Sequence, residues 1–455
     1  MTGADSYPRR FPLSEAQRAL WFAQQLVPDV PLFIAQYVEI DGPLDIDLLR
    51  AANVRAAHEF ESPFLRVVTV DGDPMQYLDL ARDTSIELVD LRAAADPEAA
   101  AHAWMQREAA TPIDLAVDRL VQTSILQVGD RHFLWYSRSH HIALDGYGAA
   151  TMLYRIAHLY TAMAEGREPD PPAAADLRSL YDIDERYRAS DRHDTDRAYW
   201  AQRLDGAHGV TLAGGGAPAV AESRLATAVL SDRTMRRLEL TKEAHGSGAS
   251  AAARIIAAFA CYLSRTTGRR DVVVDIPVSA RTTAVLRRSG GMTVNLVPVR
   301  IEIRDDDTVG DLVGRVQVEL IAALRHQRCS RADIQRDLGV DLPAPIVNVM
   351  FFHPEIEMGS LATEFHIITS GPVDDLLVNV YQSGTPLRTF VDFRANPHRY
   401  TQEIEASHHR RFLEFLEHVV AADPQTPLAE VRLDAAPTAR PGARAPTPVA
   451  QPESA

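Results

Sequence analysis

Residues 133–148 read FLWYSRSHHIALDGYG, an apolar strand that runs into two adjacent histidines and then into the glycines of a helix start. Side chains alternate faces along a strand. His141 therefore shares a face with Phe133, Trp135, Ser137 and Ser139, and His140 points the other way. At most one of the two histidines faces a given site. Gly146 and Gly148 permit a tight turn and close backbone approach. The amides of the helix start, expected near Gly148, present partial positive charge. A base, the carboxylate of Asp145 and exposed amides at a strand-to-helix turn are the parts of an acyl-transfer site.

The same dipeptide recurs at His408-His409 inside a charged helical stretch with no Asp-Gly after it, and reads as a solvated or packed pair. Neighbouring histidines on opposite faces do not easily share one ion. No further ligand cluster is evident in the sequence, so no metal is expected at His140, His141 and Asp145.

Both halves of the chain alternate between the two periodicities. Ser14-x-x-Gln17 looks like a capping box opening a helix toward Leu26. Strands are predicted at 35–40, 120–127, 132–139, 271–278, 294–303, 345–352, 376–382 and 388–394. Helices are predicted at 44–58, 148–164, from Thr308 onward, and at 402–421. Met152, Ile156, Tyr160 and Met163 mark the buried face of the second. This is a mixed α/β (α+β) pattern. Proline and glycine in EGREPDPPAAADL, 165–177, break the chain near 175. A polar loop is predicted at 206–223, and the Pro/Ala-rich 436–455 reads as a linker.

Composition narrows the function. The 455 residues carry 47 basic and 62 acidic side chains, a net charge of −15, which disfavours nonspecific binding to nucleic acid or anionic membranes. No apolar stretch approaches the roughly 20 residues of a membrane span. Two cysteines, Cys261 and Cys329, cannot build a disulfide framework and fit a reducing compartment. A cytoplasmic location is expected. No Gly-x-Ser-x-Gly marks a serine hydrolase.

The string His-His-x-x-x-Asp-Gly resembles the core motif of nonribosomal peptide synthetase condensation domains, within the chloramphenicol acetyltransferase-like superfamily. The likeness extends over about residues 10–435. LSEAQRALWFAQQL at 13–26 resembles the family's opening Ser-x-Ala-Gln-x-x-x-Trp helix. His58-Glu59 with Phe64-Leu65-Arg66, and Pro112-Ile113-Asp114-Leu115, resemble two further segments. DRAYWAQRL at 196–204 resembles its Tyr-Trp helix, and Pro277–Arg281 with Gly291–Arg300 its Arg-containing turn and Val-Asn-x-x-Pro strand. LRHQRCSRADIQRDLG, PIVNVMFF and SGPVDDLLVNV are similar to the condensation domains of enterobactin synthetases.

The resemblance implies two chloramphenicol acetyltransferase-like lobes, 10–175 and 176–435, meeting in a V around a central tunnel. It implies amide formation between a carrier-bound donor acyl thioester, an aryl group such as dihydroxybenzoyl or salicyl, and the amine of a carrier-bound aminoacyl thioester. No cofactor is bound permanently, and phosphopantetheine arms arrive on the carriers. His141, Asp145 and Gly146 are the implied catalytic set. His141 takes the amine proton or holds the amine, and Gly146 offers its amide to the oxyanion. Asp145 braces the turn through an ion pair to Arg281, and His140 packs within its lobe. Tyr147 and Asn295 are expected to border the tunnel. A monomer is expected. Because Met1 stands only a few residues before the first helix, the donor carrier is expected in trans. An acceptor carrier and an adenylation domain are expected downstream. Two alternatives stay open: an epimerisation domain, and a noncatalytic recruiting domain of the same fold.

Overall fold

A computed structural model describes residues 9–434 except 173, 214–219, 221–222, 245–249, 352–355 and 385–386, with the side chains of 239–244 also left aside. The linker expected at 436–455 and residues 214–219 and 221–222 of the loop expected at 206–223 lie outside the described residues. The mixed helix-and-sheet architecture expected from the sequence is the one observed.

Two large sheets organise the chain. A five-stranded sheet runs in the order Ala362–Ser370, Phe33–Asp41, His132–His140, Val121–Gln127, Glu87–Asp90. Its pairs are antiparallel except the last, which is parallel. A six-stranded sheet runs Asn295–Glu302, Asp271–Val278, Ile346–Met350, Leu376–Ser383, Arg388–Ala395, Arg224–Val229. The strand Ile346–Met350 lies parallel to both its neighbours. A small three-stranded sheet, Phe11–Pro12, Asp73–Leu78 and Leu65–Val70, flanks the first.

Each large sheet has its own core. Helix Ala251–Thr267 is apolar nearly all round and is buried between strands and the helices Val309–Arg325 and Gln402–Ala421. Helix Gly146–Ala164 is amphipathic: Met152, Leu153, Ile156 and Tyr160 sink into the core beside the five-stranded sheet, and Met163 packs at its margin. The capping boxes at Ser14/Gln17 and Thr308/Asp311 both form. His408 and His409 are packed: His409 Nε2 donates to the Val391 carbonyl at 2.9 Å, and His408 Nδ1 lies 2.7 Å from the Tyr262 hydroxyl.

The strand Ala362–Ser370 was not predicted. It comes from the second half of the chain yet pairs with Phe33–Asp41, more than 300 residues earlier, and forms the edge of the first sheet. Ile356, Met358 and Phe365 accompany it into the core of the first half. This crossover strand delivers Ser370 and Gly371 to the histidine turn.

Candidate active site

The strand His132–His140 ends at the first histidine, and the helix begins at Gly146, two residues before the position expected. The earlier start follows from Asp145, whose Oδ1 accepts the Gly148 amide at 2.8 Å as an N-cap. His141 extends the ladder by one bond, its amide donating to the Leu32 carbonyl at 2.8 Å. The two histidines then diverge.

His140 is fully buried. Its Nδ1 accepts the Ile142 amide at 3.1 Å, so Nε2 carries the proton and donates it to Gln24 Oε1 at 3.0 Å. Gln24 Nε2 is held by the carbonyls of Val27, Pro28 and Val30, which fixes the amide's orientation. Burial, with His141 adding to it, pushes the His140 pKa down to about 3 and keeps the ring neutral. Gln17, two turns before Gln24 on the same helix, donates through Nε2 to the Ile142 carbonyl at 3.0 Å. The opening helix therefore braces both sides of the histidine turn. Two glutamines seven apart on an otherwise apolar helix face are the legible signal for this role; the sequence reading takes Gln17 only as a cap and leaves Gln24 unread.

His141 is half-buried, and its Nε2 lies 3.2 Å from the Ser370 carbonyl. A carbonyl only accepts, so Nε2 holds the proton of the neutral ring and Nδ1 keeps its lone pair. Burial lowers the His141 pKa, while the Ser370 carbonyl and the Asp145 carboxylate pull it partly back. Gly371 makes this approach feasible. Its φ is +105°, and a Cβ there would sit 2.9 Å from His141 Nε2. Neither Ser370 nor Gly371 was singled out as a site residue from sequence, because nothing local ties them to a histidine 229 positions away.

Asp145 and Arg281 face each other with side chains 1% exposed. The contact is bidentate, with Nη1 to Oδ2 at 2.7 Å and Nη2 to Oδ1 at 2.9 Å. The amides of Thr293 and Val294 donate to Oδ2 at 2.9 and 3.0 Å. The Asp145 amide in turn donates to the Gly291 carbonyl. With the Gly148 amide and the Thr293 hydroxyl, six donors saturate one carboxylate and tie the histidine turn to residues 279–294. Arg281 also lies against the Tyr147 ring, 4.6 Å from its centroid, and the Tyr147 hydroxyl donates to the Arg287 carbonyl at 3.0 Å.

Gly146 is exposed, and an added Cβ would meet nothing within 4 Å. Neither backbone strain nor packing demands glycine there. Asn295 is placed differently from a free lining residue. Its Nδ2 donates to the carbonyls of Gln327 and Cys329, and its Oδ1 accepts the Arg331 amide. The side chain ties together the loop 327–331.

The condensation-domain family model matches residues 8–437. Among curated relatives, a dimodular nonribosomal peptide synthase of Bacillus subtilis is 31% identical over 92% of this chain, and an isonitrile lipopeptide synthase of Streptomyces coeruleorubidus 33% identical over 99%. Enterobactin synthase component F of Escherichia coli is 29% identical over 91% of the chain. The chain spans 18%, 31% and 33% of the lengths of these three relatives. Among solved structures, the starter condensation domain of rhizomide synthetase, a variant in complex with C8-CoA, superposes with TM-score 0.87 at 33% identity, covering 93% of this chain and 98% of that one. The first condensation domain of the calcium-dependent antibiotic synthetase, in complex with a substrate analogue, gives TM-score 0.85 at 32% identity, covering 94% and 99%. With a family match across almost its whole length, and the His-His-x-x-x-Asp-Gly turn assembled from strand, helix and crossover, the chain belongs to the condensation domains of nonribosomal peptide synthetases.

Proposed function

We propose that this domain joins a thioester-bound acyl donor to the α-amine of an aminoacyl group tethered to a carrier protein. The amine nitrogen bonds to the donor carbonyl carbon, the carbon–sulfur bond breaks, and the amine proton ends on the released thiol. The thioester supplies the driving force, and holding both tethered partners in one site supplies most of the rate. The phosphopantetheine arms belong to the carriers.

The observation that carries this reading is the His141 imidazole, with its orientation fixed through Nε2 by the Ser370 carbonyl. Nδ1 has no hydrogen-bond partner among the described residues and is the nitrogen that receives or orders the amine hydrogen. The Gly146 amide, the first of the helix, is the donor for the developing oxyanion. Asp145 has no capacity left for proton transfer and acts as a positioning residue, with Arg281 as its partner. His140 sets the turn from behind.

The donor is a simple acyl group. Support comes from the starter domain crystallised with C8-CoA and from the lipopeptide and enterobactin synthases among the relatives. The donor carrier arrives in trans, and an acceptor carrier and adenylation domain accompany the domain in its synthetase. The test presents the purified domain with an aminoacyl-loaded carrier and, separately, octanoyl-CoA, an octanoyl-loaded carrier or a dihydroxybenzoyl-loaded carrier. Mass spectrometry should find amide on the acceptor arm with at least one of them. No amide from any donor would overturn the acyl-transfer reading, and amide formed only within a fused donor–acceptor polypeptide would overturn delivery in trans.

Gly371 gives a second check on the same geometry. Gly371→Ala places a methyl against His141 Nε2 and a side chain at φ +105°. Backbone strain of about 1–3 kcal/mol should appear in denaturant melts. The displaced imidazole should lower kcat by roughly 10²-fold. Full kcat in the folded variant would show that the contact does not position His141.

A further inference from the structure

Arg281 stands directly after a strained residue. The strand Asp271–Val278 ends two positions before Ala280, and Ala280 takes φ +51°, inside the left-handed region. An alanine there is disfavoured by roughly 5–30-fold against the right-handed conformation. Glycine avoids the penalty, and asparagine or aspartate offsets it with its own side chain. Ala280 has neither resource, so its conformation is held from outside. The Ala280 amide donates to Gln327 Oε1 at 3.1 Å, and this is its one hydrogen bond among the described residues.

Gln327 is itself fixed. Its Nε2 donates to the Leu324 carbonyl at 2.8 Å, in the last turn of helix Val309–Arg325, where carbonyls lack a partner within the helix. A carbonyl only accepts and an amide N–H only donates, so the two contacts distinguish the nitrogen and oxygen of the side chain. The backbone carbonyl of Gln327 accepts Asn295 Nδ2 at 3.0 Å, and Asn295 directly follows Val294, whose amide binds Asp145. On the other side, His326 Nδ1 lies 2.7 Å from Asp196 Oδ1, and the His326 carbonyl accepts the Trp200 indole at 3.1 Å. The contacts close a circuit: Gln327 to Ala280 and Arg281, across to Asp145, and back through Val294 and Asn295 to Gln327.

We propose that Gln327 is a positioning residue for amide formation: it holds Ala280 in the left-handed conformation that aims Arg281 at Asp145, and through Asp145 it sets the helix start at Gly146. The proposal rests on the acyl-transfer reading above, in which that turn orders the reacting groups. It also gives a role to LRHQRCSRADIQRDLG, the segment that contains Gln327. Without the bond to Gln327, Ala280 relaxes to negative φ, the favoured side for a residue with a Cβ. The direction of Arg281 then changes, and its two-pronged contact with Asp145 loosens. The effect is on the geometry of the turn, so it falls on kcat and leaves KM for the acceptor carrier within about twofold.

The test measures kcat and KM with preloaded carriers, and denaturant midpoints, for Gln327→Met, Gln327→Glu, Ala280→Gly and the combination of Gln327→Met with Ala280→Gly. Gln327→Met keeps the bulk and removes both side-chain bonds, and kcat should fall by about 10-fold. Glycine takes the left-handed conformation without steric cost, so in the Ala280→Gly background the same substitution should lower kcat by less than about threefold. Gln327→Glu keeps an acceptor toward Ala280 and loses the donor toward Leu324, and its kcat should exceed that of Gln327→Met by about threefold or more. Equal losses from Gln327→Met in both backgrounds overturn the proposal, because Gln327 would then only support its own loop. A Gln327→Glu variant as slow as Gln327→Met, or a Gln327→Met variant as fast as wild type, overturns it too. If Gln327→Met does not fold, folding should return when Ala280→Gly is added, and no return counts against the proposal. The midpoints decide without catalysis: Gln327→Met should destabilise the Ala280 protein more than the Ala280→Gly protein, and strict additivity refutes the pairing. A wild type that forms no amide would refute the acyl-transfer reading, while the midpoints would still decide whether Gln327 holds the turn.

Discussion

His141→Ala is expected to lower the rate of amide formation by about 10²–10⁴-fold while leaving the domain folded. The side chain makes one hydrogen bond, to the Ser370 carbonyl, and is only half-buried. Its loss should therefore cost about 1 kcal/mol of stability. The pH profile carries separate information. Burial lowers the His141 pKa, so the neutral ring persists below the ordinary imidazole pKa. Activity that needs the neutral ring should then hold as pH falls through about 6.5 and decline only below it. Single-turnover rates with preloaded carriers, measured across pH for wild type and variant, check both statements. A variant retaining more than half the wild-type rate would remove His141 from the mechanism.

The second large effect concerns stability. Arg281→Ala or Asp145→Ala each strands a charge in a site whose side chains are 1% exposed. Removing one partner of such a pair typically costs about 3–5 kcal/mol. The double replacement should cost clearly less than the two single ones together, because it leaves no lone charge. Arg281→Lys should not rescue, since an ammonium cannot reproduce the two-pronged contact with both carboxylate oxygens. Denaturant midpoints of the four proteins give the coupling directly, and strict additivity would show that the pair contributes no interaction energy. Turnover should fall in each single variant as well, because the same carboxylate caps the helix that begins at Gly146.

What could be read from the sequence divides along a physical line. Strands with clean alternation or unbroken apolar runs, such as 271–278 and 388–394, and helices with a stripe and a cap, such as 402–421, lie where the periodicity placed them. The order of residues 140–148 contains most of the active turn, because strand end, cap and helix start are consecutive. The Asp145 cap was the local signal that would have moved the helix start to Gly146. Strand Ala362–Ser370 also alternates, with Phe365 and Ile367 on one face and Glu364 and His366 on the other. Its polar composition hid it. Its partner was beyond any local signal, since pairing across more than 300 residues is decided by packing of the whole fold. For the same reason Ser370 and Gly371 are invisible until the sheet is assembled.

The crossover strand also limits how such a domain can be recombined. A cut in the irregular link before Leu177 looks like a natural seam, with helices ending and starting on either side. A fragment ending there would expose Phe33–Asp41 as an unprotected sheet edge and would lack Ile356, Met358 and Phe365 from its interior. Open edges of that kind invite aggregation. A chimera joined at the link would lay one parent's strand against another parent's sheet, directly beside His141. Module exchange in synthetases built from this domain therefore has to move residues 33–41, 132–148 and 356–371 as one inherited block.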